Sequence, residues 1–260
     1  MTPPPRCPGR LRTAVAVLRR HIMVWRRMFL SSAVGSLVEP LIYLLAFGFG
    51  LGMLIPDVGG RSYLSFLAPG LIVSSALYAA TFEGTYGTYT RLVPQRTFEG
   101  MLATPVSVAE VVIGEALYAA LKGTFAGCAV LLVVSAFGLM ESPAALAVPA
   151  LCALCALGFG GVSVLVSGLS RSYDAFNYYF TLGITPVFMF SGIFFPLDRL
   201  PSWVRTAAWF NPVTHATDAM RALCYGALNL SILGDIAWLL VFAILPLPPA
   251  IRLIRRRLMP

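Results

Sequence analysis

Long apolar runs broken by short polar ones dominate this chain. A helix that crosses a bilayer needs about 20 mostly apolar residues. The pattern predicts six such spans, near 36–55, 66–86, 108–137, 144–169, 178–195 and 232–253. Before the first, Leu11, Val15, Leu18, Ile22 and Trp25 recur at spacings of three and four, with arginines filling much of the rest. That rhythm fits a helix over 11–29 lying in the membrane interface among anionic head groups, or else a solvated basic helix ahead of a span. The residues after 195 stay largely apolar, yet prolines, tryptophans and a few charges interrupt them. They read as amphipathic pieces that lie at the membrane surface or dip back into it. The expected fold is all-α and polytopic: a disordered tail over 1–10, then one transmembrane domain over 11–260.

Composition removes the soluble alternative. Hydrophobic residues make up 58% of the chain and charged residues 12%, where soluble domains carry about 25% charge. The net charge of +8 raises nucleic acid as a partner, but the placement of the arginines argues for membrane orientation instead. Fourteen arginines fall before span one, between spans two and three, between four and five, and after six; the opposite connections hold four. The positive-inside rule then puts both termini in the cytoplasm, and the interrupted segment after span five on the outer face.

Charges inside spans are costly and face a bundle interior or a wet cavity. Glu83 and Lys122 are therefore candidates for a substrate path or an ion pair between spans. Glu115 and Lys122, seven apart, share one helix face. Glu110 and Glu115 have a plainer reading, as interfacial acids near a helix start. His21 and His215 read as satisfied interfacial histidines. Cys152 and Cys155 form a C-x-x-C without further ligands or a soluble redox context, and read as small packing residues. The chain has no phosphate loop, no H-E-x-x-H, no G-x-S-x-G and no paired carboxylates in a polar pocket. No catalytic residue, metal site or cofactor is expected in it, and transport energy would come from another chain or an ion gradient.

The connection over 91–105, RLVPQRTFEGMLATP, is too polar to span and too apolar for a mere linker. Pro94 and Pro105 bracket a short helix that Thr97 can cap, with Phe98 and Met101 on one face and Glu99 in its first turn. Exposed Phe98 and Met101 would seek a partner's groove, with Arg96 and Glu99 fixing register. Alternatively, the helix lies on the lipid surface.

At these segments the chain resembles the ABC-2 type permeases, membrane subunits of bacterial ATP-driven exporters, and within them the NodJ-like branch associated with export of nodulation lipo-oligosaccharides. The resemblance rests on FLAPGLI (66–72), FEGTYGTYTR (82–91), TFEGMLATPVS (97–107), FNYYFTLGITPVFMFSGIFFPLDRLPSW (176–203) and FNPVTH (210–215). It implies an inner-membrane subunit that pairs with a second copy of itself and recruits two copies of an ATP-binding protein, where ATP and Mg would sit. Gln95, Arg96, Thr97, Phe98, Glu99, Met101, Ala103, Thr104 and Pro105 become the helix that couples to that protein. Phe194, Phe195, Pro196, Leu197, Trp203, Trp209, Phe210 and Pro212 become an outer gate on half-helices. The implied substrate is an amphiphile: a lipo-oligosaccharide, a glycolipid or a lipophilic drug. An ion-coupled secondary transporter is the alternative, although the halves show no convincing internal repeat.

Overall fold

Away from water a helix satisfies its own backbone donors and acceptors, so apolar runs of this length fold as helices. The computed structural model describes residues 10–55 and 57–259; among these the regular structure is helical, with one isolated bridge between Val58 and Arg61. The expected tail lies outside the described residues apart from Arg10, which opens α1 (Arg10–Trp25). A 3-10 turn, Arg26–Met28, leads to α2 (Phe29–Leu45), and helical geometry continues to Leu54. Next come α3 (Tyr63–Leu92), α4 (Thr97–Leu102), α5 (Val108–Ala136) and α6 (Val148–Leu169). α7 (174–189) has a π-helical middle. α8 (Ser202–Trp209), α9 (Pro212–Tyr225), α10 (Ser231–Ile244) and α11 (Leu247–Leu258) complete the chain.

Among the described residues, four stretches are long and apolar enough to cross a membrane: Tyr63–Leu92, Val108–Ala136, Pro143–Leu169 and Ser231–Leu258. They cover expected spans two, three, four and six. The second runs on past 86 to Leu92. The expected first span falls on α2 and its continuation. The fifth departs from expectation: the helix starts at Asp174 and stops at Met189, because Phe190 leaves helical geometry and Gly192 takes a φ of 81°.

α3 is the axis of the bundle. Of its apolar window 78% is buried, against 22% for Ser231–Leu258, which lies at the periphery. α5 and α6 close on α3, and small residues set how near they come. A Cβ on Gly123 of α5 would meet the Ala76 carbonyl oxygen at 2.5 Å and the Ala156 Cβ at 2.6 Å. Between membrane helices such close van der Waals contact supplies much of the association. α5 begins in a capping box, Ser107 with Glu110. Glu110, read from the sequence as an acid near a helix start, closes that start by accepting from the Ser107 N–H.

α1 docks on α5 through Ala14, Val17 and His21, all buried. The stripe expected to be its apolar face is one residue on, about 100° round the helix, and there Val15 is exposed while Leu18, Ile22 and Trp25 are half-buried. α1 therefore has a protein-facing stripe beside a second, more open apolar one. At the far end of the chain, α9 buries Val213, Ala216 and Met220 against α3, α6 and α10.

Candidate functional site

Two features sit where α3 ends and α5 begins: the short helix α4 and a cluster of buried charges. After Leu92 the chain turns back through Arg96, which takes a left-handed φ of 48° and occupies the N-cap of α4. Thr97 was the expected cap; it is instead the first helical residue, and its hydroxyl donates to Gln95 Oε1 at 3.4 Å. Phe98 and Met101 correct the expected picture further. Neither is exposed for a partner. Phe98 is fully buried and Met101 is 9% exposed. They lie in an apolar cluster with Val17 of α1, Leu92 of α3, Val111 of α5, Val164 of α6 and Ile254 of α11. The open face of this connection includes Val93, Pro94, Gln95, Arg96, Glu99, Gly100, Ala103, Thr104 and Pro105.

The charge cluster joins α1, α3 and α5. Its centre is Glu115, fully buried, where the sequence reading placed an interfacial acid. Arg91 Nε donates to both carboxylate oxygens at 3.0 and 3.1 Å, and Nη2 to Oε2 at 2.6 Å. Thr88 Oγ1 donates to the same carboxylate at 3.1 Å. His21 Nε2 lies 3.0 Å from Glu115 Oε1, and its ring stacks on Tyr118 with centroids 4.8 Å apart. Arg91 Nη2 also reaches Glu83 Oε1 at 2.8 Å, and Lys122 Nζ holds Glu83 Oε2 at 2.9 Å. Two carboxylates thus face two fixed cations.

Local backbone makes room for this. Glu83 opens a π-helical turn, Glu83–Gly87, and a Cβ on Gly87 would collide with the Glu83 carboxylate. The carbonyls of Gly84 and Thr85 in that wide turn accept from Ser167 Oγ at 2.7 and 2.9 Å. Glu83 and Lys122, the pathway candidates, therefore meet as an ion pair between spans. They line a cavity of about 440 Å³ together with Arg20, His21, Trp25, Tyr86 and Arg91. Sequence reasoning missed Arg91, which it counted only as an orientation charge. The available signal was its spacing: an arginine eight residues after Glu83 in one helix.

At the opposite end lie the residues expected to form a gate. Phe194 packs on Phe47 and Phe188, with centroids 5.5 and 5.1 Å apart. Phe195, Pro196, Leu197 and Pro212 are half-buried. Trp203, Trp209 and Phe210 are open, at 71%, 59% and 64% exposure. The FNPVTH stretch serves as a lock. Asn211 Oδ1 caps α9 at the Val213 N–H, and Asn211 Nδ2 donates to the Val187 carbonyl at 2.6 Å. His215 lies 2.7 Å from both Asp235 Oδ1 and the Trp209 carbonyl oxygen, stacked on Trp238. Cys152 and Cys155 are free thiols buried in the apolar core.

Residues 13–225 match the sequence profile of the family described as ABC-2 type transporter. Nodulation protein J of Rhizobium leguminosarum bv. trifolii is 38% identical over 252 residues, covering 97% of this chain and 96% of that protein. Nodulation protein J of Rhizobium meliloti is 37% identical over 246 residues, covering 95% and 94%. The inner membrane transport permease YadH of Escherichia coli is 24% identical over 233 residues, covering 88% and 87%.

Proposed function

The chain belongs to the ABC-2 type transporter family, and from that premise we propose that it is the membrane subunit of an exporter driven by ATP hydrolysis in a separate ATP-binding protein. Six spans are counted by adding α2 with its continuation, and α7, to the four long apolar stretches. α7 is about 24 Å long at 1.5 Å per residue, so the irregular chain after Met189 completes its crossing. The arginine-rich end faces the cytoplasm of the bacterial inner membrane, with both termini there. α8 and α9 then lie on the outer side, as half-helices beside an exit that a second copy of the chain completes.

One observation carries the coupling role of α4: Phe98 is fully buried in a cluster drawn from α1, α3, α5, α6 and α11. A helix anchored in so many others moves them when its open face is pushed. Arg96 and Glu99 on that face would take the push from each of two ATP-binding subunits, which hold ATP and Mg. The cargo is an amphiphile of the lipo-oligosaccharide, glycolipid or lipophilic drug kind, in keeping with the nodulation proteins among the relatives. The test is charge reversal at both positions, Arg96→Glu with Glu99→Arg, in the chain co-expressed with its ATP-binding partner. Retention of the partner and stimulation of its ATPase should fall at least fivefold while the thermal midpoint stays put. Unchanged retention and stimulation would remove the coupling role. Vesicle transport that runs without ATP and collapses with a protonophore would replace the proposal with ion-coupled transport.

A further inference from the structure

We propose that the cavity between α1, α3 and α5 is a binding site for the net-anionic, phosphate-bearing head group of an amphiphile, as distinct from a zwitterionic one that carries its own cation. Its wall carries Arg20, Arg91 and Lys122 against one carboxylate, Glu83. Arg91 is committed to Glu115 and Glu83. Lys122 uses one of its ammonium donors on Glu83, out of the three such a group has. Arg20 is half-buried and has no ion pair or hydrogen bond among the described residues. With the two carboxylates matched by Arg91 and Lys122, Arg20 is a surplus cation on the wall of a concave site. A guanidinium beside an ammonium suits phosphate, whose oxygens accept from both at once.

The rim explains why the ligand has a tail. Val24 and Met28 line the same cavity yet are 56% and 62% exposed. Phe29 and Leu30 continue the open apolar surface. A free anion would fill the cationic floor and leave this rim unused. A head group in the cavity with its chain lying along Val24, Met28 and Leu30 uses both. The volume falls within the range of ligand pockets, roughly 300–1,000 Å³.

This rests on the exporter reading only for setting the cavity beside the inner leaflet. Its readout needs no ATP-binding subunit, so failed coupling and failed lipid retention are scored apart. The experiment is native mass spectrometry of the full chain released from micelles, with dioleoyl phosphatidylglycerol and dioleoyl phosphatidylcholine in competition. Phosphatidylglycerol should be retained at least fivefold over phosphatidylcholine. Arg20→Gln should bring that ratio close to one. Arg19→Gln, an exposed neighbour outside the cavity, should leave it unchanged. Matching thermal midpoints would show that both variants are folded. Millimolar glycerol phosphate should not displace the lipid. Equal retention of the two lipids, equal loss in both variants, or no loss in Arg20→Gln would overturn the proposal. Displacement by glycerol phosphate would replace the amphiphile with a soluble anion.

Discussion

Arg91 holds together most of the charge cluster. Its guanidinium serves Glu115 through two nitrogens and Glu83 through one of the same pair. Arg91→Ala would leave Glu115 buried with only His21 and Thr88 near it. Removing one partner of a buried pair costs about 3–5 kcal/mol, so the thermal midpoint in detergent should drop clearly. Arg91→Lys should not restore it, because a point charge cannot present two parallel N–H groups. A parent-like midpoint in either variant would refute this. Arg257 makes a smaller contribution of a similar kind. Its Nη1 donates to the carbonyls of Ser167, Gly168 and Ser170 at 3.2, 3.2 and 2.7 Å, capping the end of α6. Arg257→Gln should cost about 1–3 kcal/mol, measurable in the same melt. The pair Glu83 and Lys122 was legible in sequence because charge within an apolar run needs a partner. Glu115 was not, since its burial depends on α1 folding back over α5, a contact between residues almost a hundred positions apart.

Among the elements, α4 shows how far a periodic pattern reaches. The pattern placed Phe98 and Met101 on one face, and they share one; it could not say whether that face looks inward or toward another protein. Five helices converge on it, which only tertiary structure reveals. Phe98→Ala should therefore destabilise the chain by about 3–5 kcal/mol and lose partner binding only through unfolding. Glu99→Ala should weaken the partner's ATPase stimulation at an unchanged midpoint. If Phe98→Ala melts like the parent, the inward face is wrong. α1 teaches a related lesson. Its helical period is plain in the sequence, but two apolar stripes lie side by side, and the one carrying His21 faces the protein. Gly192 is legible as a kink point within the expected fifth span, but the full stop of α7 at Met189 is not, because Phe190 and Ile193 keep the run apolar across it.

For the whole molecule, the all-helical class and the long apolar helices follow from hydropathy alone, since the bilayer leaves the backbone few other options. Orientation is a claim about the entire chain and is testable as one. In intact spheroplasts, Trp203→Cys should react with a membrane-impermeant maleimide, and Thr104→Cys only after permeabilisation. Reaction of both from one side would invert or break the proposed topology. The sharing of charge between helices also bears on how the chain is made. Glu83 and Arg91 leave the ribosome first and can pair with each other within α3. Glu115 and Lys122 follow on α5, and their partners, the Arg91 guanidinium and the Glu83 carboxylate, wait on α3. Each unpaired charge costs roughly 2.5–3.5 kcal/mol at the centre of an inserting helix. α5 is thus a poor candidate for entering lipid by itself. The insertion machinery should hold α3 until α5 has emerged and release the two as a hairpin, so that biogenesis is timed by the same ion pairs that brace the finished bundle.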